Sequence, residues 1–557
     1  MRVSPTVLIT ACGSGNFLAL AYARLRDIET DLIVERRRRL GETGMSLDAT
    51  LEQKLTIDRF HGFEINWWPA KIAETAMFLV DHQANRRLAD AIGQAPERLP
   101  IRITAHIVHG DALELDWKNL LPEVPGKTFI FGNPPFLGHA TRTPEQADQL
   151  REAWGTKDIS RLDYVTAWHA KTLQTLAERP GEFAYVTTNS IAQGDQVPRL
   201  FGPIFDAGWR IGFAHQTFAW DSQAPGKAAV HCVVVGFTRD ESIKPRLFGY
   251  ASPKGPPVQL PVMDEINAYL VDAPHVLVAK HAVPLSSEIA KATMGSMPRD
   301  GGNLIVEVDQ YDEVMSDPVA AKYVRPFRMG RELVRGLDRW CLWLVDLDPA
   351  DIARSPILKA RLEAVAAFRR ESKAASTREM AMTPHLFGQR SQRDTPRLCL
   401  PRVVSEHRRY YTAAPIGPEV IAGDKAYVID DPDGLQFALL SSSMFITWQK
   451  VIGGRLKSDV SFASTLTWNT FPVPALDEQT RKKIIAAGKA VLAAREKHPE
   501  RSLADSYNPL AMDPVLVKAH DKLDREIDVA LGAPRKLSTE RQRLEVLFRR
   551  YQELAAS

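Results

Sequence analysis

Short apolar runs alternate with longer amphipathic stretches over the first 240 residues. Val7-Leu8-Ile9 leads into Thr10-Ala11-Cys12-Gly13-Ser14-Gly15-Asn16-Phe17 and then an alanine- and leucine-rich segment from Leu18 to Ala23. That order predicts a buried strand, a glycine turn and a helix. Residues 60–65 predict a second strand ending at Glu64 and Ile65, and Pro69 suits the first turn of a helix reaching Leu79. Residues 101–108 predict a third strand, followed by Gly110-Asp111-Ala112. Phe129-Ile130-Phe131-Gly132 predicts a fourth, buried strand, stopped by Asn133-Pro134-Pro135-Phe136 because proline has no N–H to give to a ladder. A helix follows over 162–171 and a fifth strand over 183–190. Residues 211–218 and 230–237 read as paired strands joined by the loop Ser222-Gln223-Ala224-Pro225-Gly226-Lys227. The expected fold class is α/β: a Rossmann-like, doubly wound sheet closing on an antiparallel hairpin.

The charged segment between Asp27 and Asp58, with Glu35-Arg36-Arg37-Arg38-Arg39 at its centre, predicts an exposed helix or insertion with a solvated face. Proline density at Ser252-Pro253-Lys254-Gly255-Pro256-Pro257 marks a boundary. A mixed α+β region extends from there to about Pro474. From Glu478 onward alanine, leucine and charged residues recur at helical spacing. Three domains are expected, at 1–250, 251–477 and 478–557.

The chain has 557 residues, 45% hydrophobic and 25% charged, which excludes wholesale disorder and a fibrous repeat and calls for more than one core. The net charge of +3 makes any nucleic-acid surface a local patch. Candidates lie where bases and aromatics interleave in the distal half: Arg325, Arg402, Arg408, Arg409, Arg455 and Lys457. The four cysteines lack CxxC spacing, which argues against a metal site or disulfide scaffold and for a reducing compartment. No apolar run approaches the ~18 residues of a membrane span. A cytoplasmic protein without a membrane partner is expected.

Four consecutive predicted strand ends carry chemistry. Gly13-Ser14-Gly15 lacks the third glycine of a dinucleotide fingerprint and the Lys-Ser/Thr of a P-loop. Glu64 can accept from ribose hydroxyls. Asp111 stands at the third end. At the fourth, Asn133 Oδ1 and a backbone carbonyl can accept from an exocyclic amine while Phe136 stacks on a planar base.

Together these motifs resemble the large S-adenosylmethionine-dependent adenine-N6 DNA methyltransferases of the γ arrangement. The nearest likeness is the modification and target-recognition part of type IIG/IIL restriction–modification enzymes and their phage-defence relatives. The resemblance makes Ala11, Cys12, Gly13, Ser14, Gly15, Asn16 and Phe17 the cofactor loop. It makes Glu64-Ile65 the ribose-binding acid and its neighbour, and Asp111-Ala112 the contact to the cofactor's adenine amine. Asn133, Pro134, Pro135 and Phe136 become the catalytic tetrapeptide, with Asn133 also touching the cofactor. Tyr323-Val324-Arg325-Pro326-Phe327, Pro401-Arg402 and Asn469-Thr470-Phe471-Pro472-Val473-Pro474 resemble the recognition domain. The implied cofactor is S-adenosyl-L-methionine, and the implied partner is double-stranded DNA with a flipped adenine. The family's usual Asp-Pro is Ile9-Thr10 here, and its upstream cofactor-binding helix finds no room before Val7. The expectation is an N-terminally truncated catalytic domain with a separately encoded N-terminal or nuclease partner. A recognition subunit inactive alone, and an RNA or protein methyltransferase, remain alternatives.

Overall fold

The computed structural model describes residues 4–42, 52–94, 103–123, 125–159, 161–220, 230–456 and 458–556. The chain packs as two units, residues 1–192 with 196–277, and residues 193–195 with 278–557.

In the first unit, β1 (Thr6–Ile9), β2 (Phe60–Glu64), β3 (His106–His109), β4 (Thr128–Gly132) and β5 (Gly181–Thr188) run parallel in the order β3-β2-β1-β4-β5. The expected hairpin strands are β6 (Arg210–Trp220) and β7 (Val230–Thr238). β7 inserts antiparallel between β5 and β6. Two strands absent from the sequence reading, β8 (Arg246–Tyr250) and β9 (Pro257–Leu260), extend the edge to nine strands. The third strand starts at His106, later than expected. Residues 101–102 of the expected strand and the loop 221–229 lie outside the described residues.

The helices are α1 (Asn16–Leu40), α2 (Trp67–Ile92), α3 (Pro144–Trp154), α4 (Thr166–Thr175) and α5 (Gln196–Asp206). α1 absorbs the arginine run: Glu35 pairs with Arg38 and Arg39 on its exposed face, and Arg37 reaches Glu52 at 2.7 Å. Three arginines in the last turn suit the negative end of the helix dipole.

Each sheet face has its own cover. On one, His169 of α4 packs on Phe183, Tyr185 and Phe237, while Phe201 of α5 packs on Phe237. On the other, Leu18 and Tyr22 of α1 and Ala73 and Met77 of α2 bury Val7, Ile9 and Phe60. That second cover stops short of β4, β5, β7 and β6. A groove of about 460 Å³ remains there, lined by Phe17, Phe129, Phe131, Ala184, Val234 and Phe213. Phe129 and Phe131 are therefore only half-buried, whereas Ile130 between them is fully enclosed.

The second unit holds three small sheets, two of four strands and one of three. One of its apolar clusters gathers Leu304, Val306, Phe327, Cys341, Leu342 and Leu358. Arg369 is fully buried and donates to five carbonyls, those of Arg299, Met380, Thr383, Pro298 and Leu386, at 2.7–2.9 Å. A buried guanidinium with every direction filled ties two chain segments, 298–299 and 380–386, to the helix that carries it. Three long helices close the chain, Glu478–Arg495, Pro514–Ala530 and Glu540–Ala556. Asp477 and Asp513 cap the first two through their side chains. Among the described residues no helix is long and apolar enough to cross a membrane, and no group of three His, Cys, Asp or Glu side chains is placed to hold a metal ion.

Candidate active site

The C-terminal ends of β1 to β5 converge, and the expected site residues stand on them. The loop after β1 turns at Gly13 (φ 54°) and Gly15 (φ 86°), both in the left-handed region that favours glycine. A Cβ at Gly13 would meet no atom within 4 Å, so this backbone faces open space. One at Gly15 would lie 3.0 Å from the Ala73 Cα, so glycine is what lets α2 pack this close. Asn16 is exposed, Ala11, Ser14 and Phe17 are partly buried, and Cys12 is enclosed. Burial, reinforced by the Glu64 charge, pushes the Cys12 thiol up to about 12, so it stays neutral. Its side chain belongs to the core, and only its backbone faces the loop; Cys12 N donates to Phe63 O at 2.9 Å.

Glu64 is the clamp of this corner. Its Oε2 accepts from Gly13 N at 2.9 Å, and its Oε1 accepts from both Asn66 N and Asn66 Nδ2 at 2.9 Å. Ile65 is 60% exposed, and its carbonyl lies 3.1 Å from His109 Nε2. Beside it Trp67 and Trp68 stack on each other with centroids 5.6 Å apart, both more than half exposed. The sequence reading passed over them, although two adjacent tryptophans directly after a strand-ending acid were a readable signal. Asp111 accepts from Leu113 N at 2.9 Å through Oδ1 and from Gln149 Nε2 at 2.9 Å through Oδ2. Ala112 is buried, and its carbonyl takes the Trp117 indole N–H at 2.6 Å.

At the end of β4 the balance reverses. Asn133 Oδ1 is buried yet accepts no hydrogen bond among the described residues. Pro134 is buried, Pro135 exposed and Phe136 half-buried. A buried amide oxygen without a donor is costly, on the order of 1–3 kcal/mol, and a ligand that brings a donor to it removes that cost.

The support of this turn was not legible in sequence. Asp163, read only as part of a helix, lies just before α4, where it is 4% exposed. Its Oδ1 accepts from Leu137 N at 3.1 Å and Val165 N at 3.2 Å, and its Oδ2 from Thr188 Oγ1 at 3.4 Å. Burial raises its carboxyl above the usual aspartate range. Trp168, one turn into α4, donates to Thr10 O at 3.1 Å, so the residue standing where an acid-proline pair was expected has its carbonyl occupied. Residues 163–168 thus brace β1, β5 and the turn after β4 together.

The distal basic residues divide. Arg325 donates to the carbonyls of Lys322 and Val324, and Arg408 to that of Ala504. Arg455 donates to Ser458 O and pairs with Glu406 at 3.6 Å. Those three serve the fold of the second unit. Arg402 and Arg409 are exposed, Arg409 lying 5.8 Å from the Tyr410 ring centroid. Lys457 lies outside the described residues.

Comparison with known proteins adds the following. Residues 3–249 match the model of the MmeI DNA-methyltransferase domain, residues 272–475 that of the MmeI target recognition domain, and residues 476–557 that of the MmeI C-terminal domain. DNA methyltransferase A of Bacillus subtilis (strain 168) is 32% identical over 549 residues, which is 98% of this chain and 61% of that protein. The chain therefore spans about three-fifths of the length of this curated relative. The type IIL restriction-modification enzyme MmeI, solved in complex with DNA, aligns with a TM-score of 0.87 at 36% identity, over 99% of this chain and 73% of its own.

Proposed function

We propose that this chain, which belongs to the MmeI family of methyltransferase, target-recognition and C-terminal domains, methylates N6 of an adenine flipped out of duplex DNA. The single observation that carries the reading is the buried, partnerless Asn133 Oδ1 at the end of β4. It is an acceptor awaiting a donor, and the exocyclic amine of adenine is one. The open backbone at Gly13 and the carboxylates of Glu64 and Asp111 on neighbouring strand ends fit S-adenosyl-L-methionine, with Ala11 to Phe17 lining its approach. When bound, that cofactor supplies an electrophilic methyl group on sulfur.

The protein's part is placement and charge. Flipping costs a few kcal/mol, recovered in the pocket. Phe136 stacks on the extruded ring, a contact worth ~1–3 kcal/mol by analogy with single-strand platforms. Asn133 Oδ1 and the Pro134 carbonyl accept from N6–H. This aims the nitrogen's electron density away from the two acceptors and stabilises the positive charge that grows on N6 as the bond to carbon forms. The methylated nitrogen is then acidic and releases its proton without a strong base. Holding two reactants in line supplies the rest of the acceleration. The second unit, with Arg402 and Arg409 exposed, is the part that selects the site on DNA. The setting is restriction–modification or phage defence in the cytoplasm.

The experiment is incorporation of labelled methyl groups into long unmethylated DNA, followed by digestion to nucleosides. N6-methyladenine is expected from the native chain and roughly a hundredfold or more less from Asn133→Ala, with DNA binding retained by both. Equal incorporation by the two proteins sinks the assignment of Asn133. Another methylated product sinks the adenine reading.

A further inference from the structure

An unbroken path of hydrogen bonds joins the expected cofactor acid to the methyl-transfer turn. Gln149 Nε2 donates to Asp111 Oδ2 at 2.9 Å, and the Tyr164 hydroxyl donates to Gln149 Oε1. Tyr164 N donates to Leu137 O at 3.0 Å, and Leu137 N donates to Asp163 Oδ1 at 3.1 Å. Leu137 directly follows Phe136. The Gln149 amide has one workable orientation, since turning it over would set its oxygen against the Asp111 carboxylate. Tyr164 is 5% exposed, and its ring meets Trp168 edge to face with centroids 5.4 Å apart, so its hydroxyl has little room to drift.

We infer that Gln149 and Tyr164 are positioning residues, through which a donor arriving at Asp111 sets the placement of the turn carrying Asn133 and Phe136. This rests on the reading of Asp111 as the acid that meets the cofactor's adenine amine. Asp111 accepts from Leu113 N through Oδ1 and from Gln149 Nε2 through Oδ2, which leaves one lone pair open on each oxygen. An amine seated on Oδ2 shares that oxygen with Gln149, which weakens and shifts the Gln149 bond and with it the hydroxyl that donates to Gln149. Because Tyr164 carries both that hydroxyl and the N–H bonded to Leu137 O, the shift reaches the turn through a single residue. The path is a physical one, made of named bonds that can be cut singly.

The test combines two measurements on the full chain. Calorimetry with S-adenosylhomocysteine reads affinity at the cofactor end. Amide hydrogen exchange over residues 136–140 reads the turn. In the native chain, binding should slow exchange there roughly tenfold, the worth of about one buried hydrogen bond. Tyr164→Phe keeps the ring and removes only the hydroxyl, and Gln149→Leu cuts the other link. Both should bind the probe within about threefold of the native chain yet lose the slowing. On long unmethylated DNA kcat should fall roughly tenfold with the cofactor KM unchanged, a split that general loosening of the fold does not produce. Undiminished slowing in Tyr164→Phe overturns the inference, even if Gln149→Leu fails to fold. Absence of binding by the native chain overturns the cofactor reading first, and this inference with it.

Discussion

The two ends of the pocket are built on opposite principles. At the cofactor end the acids already have partners: Glu64 holds Gly13 N and two donors of Asn66, and Asp111 holds Leu113 N and Gln149. At the base end Asn133 Oδ1 is buried with no partner among the described residues. A carboxylate that already holds donors shapes its own loop and offers a ligand only the lone pairs still open. An orphaned amide oxygen is held ready at a cost to the fold that the ligand's donor removes. In the proposed function the first arrangement sets affinity, and the second sets rate.

The largest effect should come from the base end. Asn133→Ala is expected to lower kcat by two to three orders of magnitude, about 3–4 kcal/mol, as for loss of one preorganised polar partner of a developing charge. At the cofactor end the strongest blow is to the loop itself. Gly15→Val places a branched side chain at φ 86° and against the Ala73 backbone. It should cost about 2–3 kcal/mol of stability in urea unfolding; a loss below about 0.5 kcal/mol would show the close approach of α2 to be dispensable.

Acid should strike both ends alike. His61 on β2 and His169 on α4 are buried and held neutral, each lowered to about 4 by desolvation. A histidine with a depressed folded value gives stability that is present above its unfolded value near 6.5 and is lost as pH falls toward 4. The loss is on the order of 3 kcal/mol per histidine at most. Urea titrations between pH 7 and 4 should follow this slope, and His169→Phe should flatten it. Phe136→Ala should weaken binding of the target-bearing DNA by ~1–3 kcal/mol, with cofactor binding untouched. The smallest effect sharpens the comparison most. Asn66→Ala frees a lone pair on Glu64 Oε1 and should tighten cofactor binding about two- to fivefold by calorimetry. Weaker binding would mean that Asn66 assists the ligand rather than competing with it.

The sheet was legible because the first four parallel strands are short runs with apolar centres, each followed closely by a glycine, an acid or a proline. The positions of Gly13, Glu64, Asp111 and Asn133 followed from that alone. What stayed hidden depends on contacts between distant residues. Asp163, just before α4, and Gln149, in the middle of α3, look like ordinary polar positions, and their roles arise only when α3 and α4 fold back onto the strand ends. Periodicity also overstated burial: Phe129 and Phe131 read as core but border the uncovered groove, because a continuous apolar run does not say whether both faces have a cover. Of the basic candidates, Arg325, Arg408 and Arg455 each donate to a backbone carbonyl, a use that an arginine beside aromatics does not announce in the sequence.

The most direct test of the contrast between the two ends is steady-state kinetics of Asn133→Ala and Glu64→Gln side by side on the same long unmethylated DNA. The expected result is a fall in kcat with the cofactor KM preserved for Asn133→Ala, and a raised cofactor KM with kcat within about threefold for Glu64→Gln. The contradicting result is the reverse split, with Glu64→Gln losing rate and Asn133→Ala losing only affinity.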